Sequence, residues 1–148
     1  IGVIHVGANS DIEQKEKKDR VDDAVCAPRA ALEDGTLPGG GIALREIAND
    51  LAQLGKSENS RVALRILTTA LKSPFYQILK NAGLNPEQIE KCLDEGMGYD
   101  VKNDRYGNMI KLGIIDPSKV TKSAVTNAIS IASTILSTNA IITNVRDL

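Results

Sequence analysis

The chain is poor in the residue types that do most enzyme chemistry. His5 is its only histidine in 148 residues. A histidine-based catalytic triad and a multi-histidine metal site are therefore excluded within it. Its two cysteines, Cys26 and Cys92, are isolated and match no zinc or redox spacing. Such sparse cysteine points to a reducing compartment, with both thiols expected as buried small hydrophobes. Tryptophan is absent and aromatics make up 3%, which argues against base-stacking platforms for nucleic acid. Net charge is −1, so no basic excess advertises a polyanionic partner. No apolar run is long enough to span a membrane. The opening IGVIHVGANS lacks the basic start and helical apolar stretch of a signal peptide. Starting without Met and inside an apolar run, the chain reads as an excised piece.

What is present is well punctuated. Hydrophobic residues at 42% and charged residues at 25% are those of a soluble globular domain with one core, built here from Ile, Leu, Val and Ala. Ile1–Gly7 is short, apolar and β-branched and reads as a strand. Ser10 or Asp11, with Glu13 in capping reach, starts a helix over 11–34 that Gly35 stops. Val21, Ala24, Val25 and Ala31 form its apolar stripe, and Glu13–Lys17 is an i,i+4 ion pair on a solvated face. Pro28 interrupts the pattern, because it removes the bond to the Ala24 carbonyl. The reading kept is one helix, kinked there. Leu44, Ile47, Ala48, Leu51 and Leu54 predict a helix over 42–54. Ser60 starts another helix, and Ser73-Pro74 and Asn85-Pro86 start two more, stopped by Gly83 and Gly96. Asn103-Asp104 supplies a turn between Tyr99-Asp100-Val101 and Tyr106–Met109, a short hairpin. Asp116-Pro117 is an N-cap and a first helical position, opening a helix to Leu136. That helix is apolar over enough of its surface to predict a central place. Residues 140–145 read as a closing strand.

Some motifs carry chemistry on their face, and each has a plain alternative. Gly39-Gly40-Gly41 frees the backbone for positive φ and for close approach to a ligand, and it opens a helix whose amides favour an anion. The sequence alone favours a flexible connector. It is not a Walker-type loop, which ends in Lys-Ser/Thr. Asp22 and Asp23 point about 100° apart on a helix and form no carboxylate dyad; a solvated face accounts for both.

Three segments, EKKDRVDDAV at 16–25, PGGG at 38–41 and GYDVKNDRYGNMIKLGIIDPSKVT at 98–121, carry a resemblance. In their order and near spacing they resemble the C-terminal part of a group I chaperonin of the GroEL type, over essentially the whole chain. The resemblance implies a mainly α fold: a chaperonin equatorial-domain-like helical bundle with small β elements. Residues 1–33 would be the C-terminal segment of the intermediate, hinge domain, and 34–148 the C-terminal half of the equatorial, ATP-binding domain. It implies ATP as cofactor, with Mg2+ held by an aspartate outside this chain. Asp23, not Asp22, takes the place of the aspartate that positions or deprotonates the attacking water. Gly39, Gly40 and Gly41 shape the nucleotide contact. Asp100, Val101 and Lys102 lie along base and ribose, where the family commonly has Asn-Ala-Ala, so Lys102 departs from the pattern. Ile114 fits either the base or the core. Asp116 adds a ribose contact to its capping role.

The implied activity is ATP-driven folding of enclosed polypeptides. The implied partners are identical subunits in a heptameric double ring, unfolded clients, and a co-chaperonin through an apical domain outside this chain; no nucleic acid and no membrane is expected. The implied location is the bacterial cytoplasm, with mitochondrial matrix or plastid stroma as alternatives. The competing reading is a non-enzymatic helical interaction module in which PGGG is only a linker.

Overall fold

The computed structural model describes residues 1–54, 57–140 and 142. Among these, five helices and four three-residue strands form a mainly helical architecture. The first helix, α1 (Asp11–Asp34), is set at both ends by local chemistry. The Ser10 side chain accepts from the Glu13 amide at 3.3 Å, and Glu13 accepts in turn from the Asn9 amide at 3.1 Å. Gly35, at φ 81°, closes the helix by donating to Ala31 O at 2.8 Å. Pro28 sits inside the continuous helix, and Lys17 pairs with Glu13 at 3.2 Å.

Strand β1 (Thr36–Pro38) then pairs antiparallel with β4 (Ile115–Pro117), Leu37 opposite Asp116. Helix α2 (Ile42–Leu51) follows the glycines, and α3 (Glu58–Asn81) packs along it. Helix α4 (Pro86–Lys91) is capped by the Asn85 side chain and leads into the hairpin of β2 (Gly98–Asp100) and β3 (Arg105–Gly107). The core lies where these elements meet: Ile42 from α2, Phe75 and Leu79 from α3, Ile89 from α4, and Tyr99 and Met109 around the hairpin. The last helix, α5 (Ser118–Leu136), lies against α1.

Several expectations need correction. Ile1–Gly7 forms no strand, because no described strand lies beside it to take its backbone hydrogen bonds. Helix α2 stops at Leu51, short of Leu54. Helix α3 begins at Glu58, with Ser57 and Ser60 in a reciprocal capping box, and it runs through Pro74 without restarting. Leu71, Phe75 and Leu79 form one buried stripe on both sides of Pro74, and that shared face holds the two halves in line. Pro117, not Asp116, is the N-cap of α5, and it makes no side-chain capping bond; Asp116 is committed to β4 instead. Helix α5 is not central: Ser118 is its only buried residue, because few described residues oppose its apolar faces. Both cysteines are exposed, Cys26 on α1 and Cys92 at the end of α4. The predicted strand at 140–145 falls outside the described residues, apart from Ala140 and Ile142, which are exposed and carry no strand.

Candidate functional site

The glycine run builds a tight turn rather than a loose linker. Gly39 donates its amide to Ile114 O at 2.9 Å, which extends the β1–β4 pairing by one bond. Gly40 and Gly41 follow at φ 68° and 76°, a conformation that side chains rarely adopt. A Cβ on Gly41 would stand 2.7 Å from Phe75 N, and one on Gly40 would stand 2.9 Å from Met109 Cε. The turn is thus pressed against α3 and the hairpin, and only glycine fits. Beyond it, Ile42 donates to Gly39 O and Arg45 to Gly41 O. The amides of Gly40, Gly41, Ala43 and Leu44 have no backbone acceptor among the described residues. A helix N-terminus with open donors attracts an anion.

Of the other candidates, Ile114 meets this turn directly and Asp116 lies near it in the β1–β4 register, while Asp100, Val101 and Lys102 sit on the hairpin. Ile114 touches Gly39 through its backbone and its side chain packs on the core, as does that of Val101. Asp116 lies across the β1–β4 pairing, opposite Leu37 and so close to the glycines in register. Partial burial pushes its carboxyl above the ordinary value, although the residue still reaches solvent.

Asp100 is buried at 4% exposure and its carboxylate is already engaged. It accepts from the Asn103 side chain at 2.7 Å, from the amides of Lys102 and Asn103 at 3.2 Å, and from Arg105 Nε at 3.3 Å. The Asn103 amide first of all, with Arg105, holds it below the usual carboxylate range against the opposing effect of burial. Asp100 therefore builds the 101–104 turn, and the Lys102 side chain is left exposed. Tyr99 donates its hydroxyl to Asp104 and meets Tyr106 edge to face, which stiffens the same hairpin.

Asp23 is not brought to the turn. It is exposed on α1, and about 16 Å of helix separates it from Asp34, where α1 ends beside β1. It does lie on the stripe continued by Cys26 and Ala30, which face α5 across a groove also lined by Glu33, Lys119 and Val120. Two ion pairs close that groove at the C-terminal end of α1: Glu33 with Lys119, and Asp34 with Lys122 at 3.4 Å.

Two contributors escaped the sequence reading. Met109 is the floor on which Gly40 and Gly98 rest, and a Cβ on Gly98 would meet its Cγ at 2.4 Å. The signal was Gly98 itself, a glycine inside a strand, which marks close approach. Arg45 is the other: 6% exposed on α2, with no aromatic or acidic neighbour in sequence at helical spacing to announce a partner. Among the described residues no group of three or more His, Cys, Asp or Glu could hold a metal ion. No helix among them is long and apolar enough to cross a membrane.

The fold and turn define a helical domain that opens one helix on unengaged amides and flanks it with a hairpin. The model of the TCP-1/cpn60 chaperonin family matches residues 1–146. Chaperonin GroEL 3 of Psychromonas ingrahamii is 45% identical over 151 residues, covering 99% of this chain and 28% of that protein. The chain belongs to the TCP-1/cpn60 chaperonin family and is of the GroEL type. Its mainly helical architecture with a few small antiparallel strands is consistent with part of a chaperonin equatorial domain. The chain spans 28% of the length of that relative.

Proposed function

We propose that this chain supplies one wall of an ATP site in a chaperonin that encloses and folds other polypeptides. The observation that carries the reading is the Gly39–Gly41 turn, with open amides at Gly40, Gly41, Ala43 and Leu44, in a chain of this family. Those amides fit phosphate oxygens, and a Cβ would fill the turn. Ile114 and Val101 offer an apolar surface to a base, and Asp116 an acceptor to a ribose hydroxyl. Asp100 contributes through the backbone of the turn it holds, because its carboxylate oxygens are committed. The Lys102 side chain stays out in solvent. In this reading Mg2+ would be held by an aspartate outside this chain, together with the phosphates of the nucleotide.

Bound ATP supplies an activated terminal phosphoryl group. Asp23 accepts a hydrogen bond from the water that attacks it, and so orients that water or removes its proton. Its distance from the turn makes movement of α1 part of the cycle: residues 1–33 act as the hinge and deliver Asp23 when they close on the 34–148 portion. Identical subunits would form the ring, a heptameric double one, in the cytoplasm. Clients and co-chaperonin would bind through the apical part.

The test is ATP turnover by a full-length protein carrying this chain. Asp23→Ala lowers turnover by ~10²-fold or more, as loss of a general base does, with ATP affinity little changed. Asp22→Ala serves as the control and leaves turnover intact. Equal turnover in Asp23→Ala and wild type overturns the assignment. A full-length protein that neither hydrolyses ATP nor forms rings favours the helical interaction module instead. The chain alone, holding one wall, hydrolyses no ATP.

A further inference from the structure

A cluster of charged groups lies next to the candidate site. Arg45, on the second turn of α2, is buried beneath Glu90 of α4, with Nε 3.6 Å from Glu90 Oε1. Lys72 of α3 reaches the same oxygen at 2.9 Å, and Tyr76, one turn along α3, donates its hydroxyl to the other oxygen. The Arg45 guanidinium also lies over the Phe75 ring, 5.9 Å from its centre. Burial would push the Glu90 carboxyl up, but the hydrogen bonds from Tyr76 and Lys72 and the charges of Lys72 and Arg45 hold it below its ordinary value. Burial, and then Glu90, push the Tyr76 phenol up to about 12, so it stays a donor. Beside Arg45, Glu46 accepts from the Gly96 amide at 3.0 Å. Two adjacent residues of α2 thus hold both ends of the 90–96 connection, which leads directly into β2.

Stability alone does not explain this arrangement. A buried ion pair of this kind is seldom better than well-packed apolar residues of the same volume, and Arg45 Nε makes no hydrogen bond. What the ions add is direction. Arg45 follows the glycine turn by one helical turn, and the segment it and Glu46 hold carries the hairpin that packs on the same turn through Met109. We propose that Arg45, Glu46, Lys72, Tyr76 and Glu90 are positioning residues that fix the hairpin relative to the Gly39–Gly41 turn, and so set the spacing of the two sides of the nucleotide site. The proposal rests on the ATP-site reading above.

The single change Glu90→Gln strands a buried guanidinium and lowers the melting temperature, so it does not separate positioning from stability. The quadruple variant Arg45→Leu/Lys72→Met/Tyr76→Phe/Glu90→Leu does, because it replaces the whole cluster with apolar volume, leaves no partner of Glu90 stranded and keeps the melting temperature close to wild type. In a full-length protein carrying this chain, ATP affinity and amide exchange of residues 98–107 without nucleotide are measured together. The expected result is about tenfold weaker ATP binding with faster exchange across the hairpin. Wild-type affinity in the quadruple variant overturns the proposal and leaves the cluster a stability element. If the wild-type protein binds no ATP, the ATP-site reading falls. Exchange then decides the brace alone: faster exchange supports it, and unchanged exchange overturns it.

Discussion

Helices α3 and α5 both carry apolar residues at helical spacing along most of their length, yet they end differently. Helix α3 buries Leu71, Phe75 and Leu79 against α2, α4 and the hairpin. Helix α5 leaves Ile131 at 63% exposure and Leu136 at 86%, and meets α1 mainly through residues near its start. The difference teaches that an amphipathic stripe states a demand for a partner and does not name one. Helix α3 has three elements of this chain on its stripe. The stripe of α5 faces a groove with Leu44, Leu51 and Leu67 on its far side and is only partly closed. The half of the molecule that carries the glycine turn is therefore the half that closes its own core, while α1 and α5 are joined by surface charge.

The largest test of that contrast is truncation. Phe75→Ala removes a ring at 2% exposure from the centre of the core and should cost ~3–5 kcal/mol in denaturant unfolding. Ile131→Ala on α5 should stay within ~0.5 kcal/mol, as surface changes do. Equal costs would mean that α5 is as well packed as α3, and the contrast would fail.

A proline inside a helix in each half sharpens it further. Pro28 lies in α1 and Pro74 in α3, each removing one helical bond at up to ~3 kcal/mol. Pro74→Ala should raise global stability, since α3 belongs to the cooperative core. Pro28→Ala should slow amide exchange within α1 and leave the global midpoint nearly unchanged. A rise in the midpoint for both would make α1 part of the same cooperative unit.

The smallest expected effect is the opposite pH response of the two halves. Glu90 and Asp100 are held below their ordinary values of 4.5 and 3.8, so their stabilisation is present above those values. It is lost as pH falls through the lowered values. Lys119 is raised above 10.5, mainly by Glu33, so its contribution is complete below 10.5 and is lost as pH rises through the raised value. Acid should therefore loosen α4 and the hairpin, and alkali the α1–α5 contact, as read by residue-resolved amide signals. Asp116, raised by burial, gains as pH falls and partly offsets the acid loss at β4. A hairpin unchanged as acid passes the lowered values of Glu90 and Asp100, or an α1–α5 contact unchanged in strong alkali, would break the assignment.

Features decided within a few residues were legible in the chain itself. Ser10, Glu13 and Gly35 bound α1 because caps and left-handed stops act over one turn. The hairpin was readable from Asn103-Asp104, although its turn spans 101–104 and leaves strands of three residues. The three glycines permitted a close approach without requiring one, and what approaches them was not legible: Phe75 lies 34 residues beyond Gly41 and Met109 lies 69 beyond Gly40. Asp116 misled, since Asp-Pro before a helix has the form of a cap, and the pairing with Leu37 took it for a strand.

Sequence by itself determined the helical class, most helix ends and the family likeness, because propensity, capping and motif order are properties of contiguous residues. Only the tertiary structure decided that β1 pairs with β4 across the length of the domain, and that α3 continues through Pro74. It alone decided that Arg45 meets Glu90, and that α5 stays largely exposed while α3 is buried. Each of these depends on which surfaces face one another, and that follows from long-range packing of side chains that no local pattern encodes.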